Sequence, residues 1–454
     1  MRIVIIGAGE IGFRVAQRLS MENKDVVIID RNPDAIKRIN DHLDVQTILG
    51  SGSSPVLLEK AGIQQAELFL AVTDSDEINL TACLFARTLA PEITKLARVR
   101  NQEYMHFKSA LTREILNIAH VINPDQEVVR SLERMIDIPG ALEVNHFAAG
   151  RITLTGVRVC SQSPLIGLRL MDIPERYRDT RFIVAAIVRG EELRIPAGKD
   201  AIHDEDIVYF ICESPQLENV LSLFTPCSTK IRSAFILGGG SVGLLAAQRL
   251  ENKGFSIKLV EQDAQRCRHL AGELDHAVVL QGDGSDGDLL REENIRDMDV
   301  CIALTGSEET NILISLLAKS LGVGKTITRI NKFAYVPLAR TIGLENVISP
   351  RISAVNTILR HVRRGKVISS VSIKGEEAEA LEAVALENSS IVHKPIKDLR
   401  FPKGALILCI IRGDEVHIPD GESVILPRDR IIILCTRPNI ERVEKALAVK
   451  LEYL

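Results

Sequence analysis

GAGEIG at residues 7–12 and GGGSVG at residues 238–243 are the two stretches that decide how this chain is read. Each fits GxGxxG, each follows a short apolar run (Arg2-Ile3-Val4-Ile5-Ile6 and Ala234-Phe235-Ile236-Leu237), and each leads into a helix-like segment. In that context the glycines form a turn beneath a nucleotide pyrophosphate. Gly7 and Gly238 permit the tight turn, Gly9 and Gly240 let the backbone approach phosphate, and Gly12 and Gly243 let helix and strand pack closely. The helix N-terminus then offers free N–H groups and the positive end of its dipole to the anion. An acid stands 18 residues beyond the third glycine in both copies, Asp30 in VVIID and Glu261 in IKLVE. It is placed to accept hydrogen bonds from ribose hydroxyls and to repel a 2′-phosphate, which disfavours NADP.

The duplication extends through the chain. Gly7, Gly9, Gly12 and Asp30 recur 231 residues later as Gly238, Gly240, Gly243 and Glu261. Gly50, Thr73 and Asn79 recur as Gly282, Thr305 and Asn311 at 232, and Arg98 as Arg329 at 231. Further on, Arg189-Gly190, Pro196, Gly198 and Asp206 return as Arg412-Gly413, Pro419, Gly421 and Asp429, displaced by 223. Such self-similarity predicts two halves, each with a large module (1–123 and 232–348) followed by a small one (143–227 and 368–453). In the first large module, 2–6, 25–29, 45–49, 68–72 and 95–99 form five Val- and Ile-rich runs separated by helix-like stretches. This alternation predicts an α/β fold, a doubly wound, Rossmann-like parallel sheet covered on both faces. The small modules read as α+β, with a strand, a helical stretch and two strands around the Arg-Gly turn.

Bulk properties narrow the function class. Of 454 residues, 46% are hydrophobic and 26% charged, which fits a globular chain rather than a disordered or fibrous one. The net charge of −4 provides no global basic field, so no nucleic-acid partner is expected. The basic cluster at 361–366 reads as a solvated linker. No uncharged apolar run approaches the roughly 18 to 20 residues of a membrane span, and a strand opens the chain where a signal peptide would need its apolar stretch, so a cytoplasmic location is expected. The eight cysteines lack zinc-like spacing and read as small buried hydrophobes.

The candidate adenine-nucleotide residues are Gly7, Ala8, Gly9, Glu10, Ile11, Gly12, Asp30, Thr73, Asp74 and Arg98 in the first half. In the second they are Gly238, Gly239, Gly240, Ser241, Val242, Glu261, Thr305 and Arg329. Thr73-Asp74 and Thr305 close strands at the sheet edge where open α/β folds bind ligands, while Arg98 and Arg329 suit either a phosphate contact or a salt bridge. GSGS at 50–53 and GDGS at 282–285 pass near base or ribose, or are turns. No histidine recurs at the matching place in the other half, and neither a GKS/GKT loop nor a GxSxG elbow occurs. A nucleotide sensor without catalysis is therefore expected. An NAD-dependent oxidoreductase and a scaffold with vestigial loops remain the alternatives.

GAGEIG, VVIID, GSGSSPVLLEKAGI, AVTDSDEINL and ARVRN, followed by SPLIG, RGEELRIPAG and DEDIVYF, resemble the RCK (KTN) domain family that regulates potassium conductance, in tandem over essentially the whole chain. The resemblance implies a non-enzymatic regulatory subunit binding NAD or NADH, or ATP or ADP, through residues 7–11, Asp30, Thr73, Asp74 and Arg98. Glu261, Thr305, Arg329 and the loop 238–242 would serve a second site. It also implies a homo-oligomeric ring, a tetramer, docked peripherally on the cytoplasmic side of the inner membrane against a membrane-embedded potassium transporter subunit of the Trk type. Two departures stand out: Ser51 replaces the acid that follows the glycine in many relatives, retained as Asp283, and SPLIG becomes SSIVH at 389–393 without a counterpart to Gly167.

Overall fold

The run Arg2–Ile6 (β1) hides Ile3, Val4, Ile5 and Ile6 completely, as a strand covered on both faces must. A computed structural model describes residues 1–447 apart from 108, 110, 113, 114, 139, 191, 227–229, 363–366, 374–376, 400 and 403. From β1 the chain alternates through α1 (Glu10–Met21), β2 (Asp25–Asp30), α2 (Pro33–His42), β3 (Gln46–Leu49), α3 (Pro55–Lys60), β4 (Leu68–Ala71), α4 (Asp76–Leu89), β5 (Thr94–Arg98), α5 (Gln102–His106), β6 (His120–Ile122) and α6 (Pro124–Asp137). All six strands pair in parallel in the order β3-β2-β1-β4-β5-β6. Order reverses between β1 and β4, which opens a crevice at the strand C-termini.

A small sheet follows from β7 (Ala141–Phe147), β8 (Ile152–Arg158), β9 (Phe182–Arg189), β10 (Glu192–Arg194) and β11 (Ile207–Glu213), with α7 (Ile173–Arg176) and α8 (Leu217–Phe224). The large fold then recurs as β12 (Ser233–Leu237), α9 (Ser241–Glu251), β13 (Ser256–Glu261), α10 (Ala264–Glu273), β14 (Val278–Gln281), α11 (Gly287–Glu292), β15 (Val300–Ala303), α12 (Glu308–Ser320), β16 (Lys325–Arg329), α13 (Tyr335–Thr341), β17 (Asn346–Ile348) and α14 (Pro350–Val362). Its strand order, β14-β13-β12-β15-β16-β17, repeats the first. The second small sheet comprises β18 (Val367–Ile373), β19 (Ala378–Val384), β20 (Ala405–Arg412), β21 (Glu415–His417) and β22 (Arg430–Thr436), followed by α15 (Ile440–Leu447).

These elements gather into two units, Met1–Leu132 with Ser233–Val362, and Glu133–Arg232 with Arg363–Leu454. In the first, α14 of the second repeat lays Ala354, Val355, Ile358 and Leu359 against Ile11, Val15, Ala16 and Leu19 of α1, a helix-on-helix core shared by both repeats. In the second, Ile152, Leu154, Ala186 and Ile211 of one small sheet form one core with Ala378, Ala380, Leu408 and Ile432 of the other. Among the described residues no helix is long and apolar enough to cross a membrane. Among the described residues seven cysteines are free thiols, and burial pushes those of Cys83, Cys212, Cys301 and Cys409 up to about 12. Residues 363–366 of the basic cluster lie outside the described residues.

The structure adds to the expected elements. Each large sheet has a sixth strand, only three residues long and hence below the threshold of any apolar pattern. Each small sheet has five strands rather than three. In the first, β7 and β8 turn through Ala148, Ala149 and Gly150 at φ 51°, 57° and 92°, and alanine in the left-handed region carries no turn signal in sequence. Likewise the left-handed position of Gly167 (φ 79°) survives in SSIVH as His393 (φ 63°). The amides of both donate to matching carbonyls, Ile202 and Ile425.

The repeated Arg-Gly and Asp pattern has a structural cause. Asp206 is buried and receives Arg189 Nε (2.8 Å) and Nη2 (2.7 Å) and the His203 amide (2.8 Å). Asp429 receives Arg412 and the Leu426 amide in the same way. Burial alone pushes the Asp206 carboxyl up, but the Arg189 guanidinium and the His203 amide more than reverse it, and its pKa lies below the ordinary value. A depressed folded pKa stabilises above the unfolded value and loses that contribution as pH falls through the folded one. Asp206→Ala should cost roughly 2 kcal/mol, discounted for the half-exposed arginine, as read by urea unfolding. The wild-type loss of stability below about pH 4 should shrink in the variant.

Candidate functional site

The loop between β1 and α1 is fixed by steric necessity. Gly7 takes φ 101°, and a Cβ there would stand 2.8 Å from the Thr73 amide nitrogen. A Cβ on Gly12 would lie 1.8 Å from the Gly7 carbonyl oxygen, so the helix can approach the strand only as glycine. At Gly9 nothing lies within 4 Å of that position, and Gly9 caps α1 without a side-chain hydrogen bond, leaving the first amides of the helix facing open space. The second copy reproduces this geometry: Gly238 at φ 106°, Gly243 1.9 Å from the Gly238 oxygen, Gly240 open.

The acids hold these loops in place. Asp30 Oδ2 accepts from the Ala8 amide at 2.6 Å, and Oδ1 from the Asn32 amide at 2.8 Å. Glu261 Oε2 accepts from the Gly239 amide at 2.8 Å, and Oε1 from those of Gln262 and Asp263. Each carboxylate keeps acceptor capacity beyond these bonds, so it can receive a sugar hydroxyl while steadying the loop.

A second device joins the ends of β4 and β5. Asn79, fully buried in α4, accepts at Oδ1 from the Thr73 amide (3.0 Å) and hydroxyl (2.7 Å), and its Nδ2 donates to the carbonyls of Thr73 (3.2 Å) and Arg98 (2.9 Å). Asn311 makes the same four contacts with Thr305 and Arg329. Asp76, at the start of α4, accepts from the amides of Arg100 and Asn101.

Together these elements border a cleft of about 460 Å³, within the range of small-molecule sites. Of the expected residues, Gly7, Gly9, Glu10, Ile11, Asp30, Thr73, Asp74 and Arg98 line it, while Ala8 in the loop and Gly12 in the first turn of α1 are buried behind it. Arg329, expected at the second loop, lines this first cleft, together with Asn331, Pro350 and Arg351 of the second repeat. Ser51 also reaches the cleft, whereas its counterpart Asp283 is turned to the amide and hydroxyl of Ser285. Gly238, Gly239, Gly240, Val242, Glu261 and Thr305 surround the second loop, and Ser241 borders a shallower depression with Asp74, Asp76, Arg100 and Asp125.

The cleft gathers positive charge. Arg98 Nη1 donates to the Thr73 carbonyl at 2.6 Å, but its Nε and that of Arg329 are buried without a hydrogen-bond partner. Burial pushes both guanidinium pKa values down, with Arg100 adding to the effect at each and Asp125 opposing it. Five arginines (Arg31, Arg98, Arg100, Arg329 and Arg351) outnumber the four carboxylates of the crevice, and with two unmet buried donors they suit an anionic ligand such as a nucleotide phosphate. Arg100, Asp125, Asn331 and Arg351 were not among the expected residues. They lie outside the glycine motif: Arg100 and Asn331 just beyond the ends of β5 and β16, Asp125 and Arg351 at the starts of α6 and α14.

The TrkA-N domain family matches residues 3–124 and 234–350, and the TrkA-C domain family residues 154–225 and 381–448. The chain is 35% identical to the Trk system potassium uptake protein TrkA of Azorhizobium caulinodans and 36% to that of Halomonas elongata, with 100% of each chain covered in both cases. Those relatives carry the name of an uptake system rather than of an enzyme. The fold is similar to that of the GsuK channel bound to NAD (TM-score 0.62, 19% identity, 98% of this chain and 78% of that chain covered).

Asn79→Ala removes the partner of the Thr73 amide and hydroxyl and of the Thr73 and Arg98 carbonyls at the ends of β4 and β5, and should cost about 2 to 3 kcal/mol. Asn311→Ala should cost a similar amount, both measured as a shift in the urea midpoint.

Proposed function

This chain belongs to the TrkA family of potassium uptake proteins, and from that premise we propose that it senses adenine nucleotides for a Trk-type potassium uptake system. Its partner is a membrane-embedded transporter subunit, and it works from the cytoplasmic face of the inner membrane as a homo-oligomeric ring, a tetramer. The observation that carries this reading is the first cleft: a glycine loop with open helix amides, an acid in reach of a ribose, and arginines whose buried Nε atoms lack partners. NAD or NADH is the favoured ligand, ATP or ADP the alternative, since the loop and acid contact parts common to all four.

The residues fit such a ligand chemically. The amides at Gly9 and beyond take the phosphates, Asp30 takes the sugar, and Arg98 takes a phosphate oxygen or the second sugar. Of the carboxylates that line the cleft, Asp30 is held by the amides of Ala8 and Asn32 and Glu10 by Arg38, an arrangement that supports binding. A ligand can shift a two-state ring only through its difference in affinity between the states. With about tenfold preference at each of four sites, a population of 1:99 moves to about 99:1.

Nucleotide should alter potassium or rubidium flux through vesicles containing the co-purified transporter, without consumption of the nucleotide. Asp30→Ala should weaken binding at least tenfold, about 1.4 kcal/mol, with an unchanged far-ultraviolet circular dichroism spectrum. Sustained oxidation of NADH with a small substrate would instead favour the oxidoreductase alternative.

A further inference from the structure

The two glycine loops coincide in backbone but differ in what faces them. Corresponding positions, 231 residues apart, are Ala35 and Arg266. Ala35 lines the first cleft and leaves its floor open. Arg266 folds back over the second loop, and its Nε donates to the Gly239 carbonyl at 2.8 Å. The helix starts differ as well. Glu10 begins α1 and is neutralised by Arg38 at 2.6 Å, whereas Ser241 begins α9 and its hydroxyl donates to Asp125 Oδ2 at 3.0 Å.

Asp125 comes from the other repeat. It is the second residue of α6, in the dipeptide Pro124-Asp125 that follows β6, and is only 9% exposed. At the matching place after β17 the chain has Pro350-Arg351, and Arg351 lines the first cleft, as do Gly9 and Glu10. Each loop is therefore met by the start of a helix from the opposite repeat, a guanidinium at the first and a carboxylate at the second; Asp125 also borders the first cleft, but there it stands 3.8 Å from the Arg100 guanidinium, whereas at α9 it accepts directly from Ser241. A carboxylate at the N-terminus of α9 supplies the negative charge that the helix dipole favours and repels a phosphate that would take its place.

Resting on the nucleotide reading above, we propose that the second loop is latched by the chain's own Asp125 and Arg266, so that each chain takes one nucleotide, at the first loop. Arg351, supplied by the second repeat, selects for its phosphates. This revises the expectation of a second nucleotide site at residues 238–242.

Calorimetric titration of the full chain with ADP, and separately with NADH, tests it. Wild type should bind one equivalent, Arg351→Glu should weaken that event at least tenfold, and Arg351→Lys should retain most of it. Asp125→Asn combined with Arg266→Ala should add a second event within tenfold of the first. Should the double variant fail to fold, hydrogen exchange on wild type saturated with ADP gives the same information: slowing is expected in 7–12 and not in 238–243. Two events of equal affinity, or equal slowing at both loops, would overturn the latch while leaving the nucleotide reading intact. Absence of binding by every chain would remove both.

Discussion

The contact between Gly12 and the Gly7 carbonyl, repeated by Gly243 and Gly238, is the constraint on which the large sheets rest. A side chain of any size would occupy the carbonyl's position, so the first turn of the helix is held against the strand end. That closeness directs unpaired helix amides to the crevice where strand order reverses. It also brings the loop within hydrogen-bond reach of the acid on the neighbouring strand. Loop, acid and crevice are thus one geometric unit, produced by four glycines that can have no substituent.

The asparagine clamps extend this rigidity to the opposite side of the crevice. Asn79 and Asn311 fasten a helix to two strand ends through main-chain atoms, so Thr73 and Arg98, or Thr305 and Arg329, move together with their helices. Full burial raises the cost of any departure, because each freed polar atom would lack water. A cleft with such walls is largely formed before a ligand arrives, which reduces what binding must spend on ordering.

Much of this could be read from the sequence because repetition acts as an internal control. Chance seldom places three glycines, an acid, a threonine, an asparagine and an arginine at one spacing twice, and each has a local geometric cause. Short β6 and β17 escaped notice since three residues cannot display a period. The extra small-sheet strands hid behind Ala148 and Ala149 in the left-handed region, and His393 concealed a turn that its glycine counterpart advertised. The cross-repeat residues were illegible for another reason. Arg351 joins the cleft of the first loop only through the packing of α14 on α1, and no linear pattern encodes the meeting of residues so far apart in the chain.

That composite wall has a temporal side. Domains emerging from the ribosome fold from the N-terminus onward, and the first repeat has its sheet, loop and acid as soon as its own residues are out. Its binding crevice, however, is finished by Arg329, Asn331 and Arg351, synthesised well over two hundred residues afterwards. A half-made chain therefore lacks part of this wall, and the complete cleft exists only once both halves have been translated and docked.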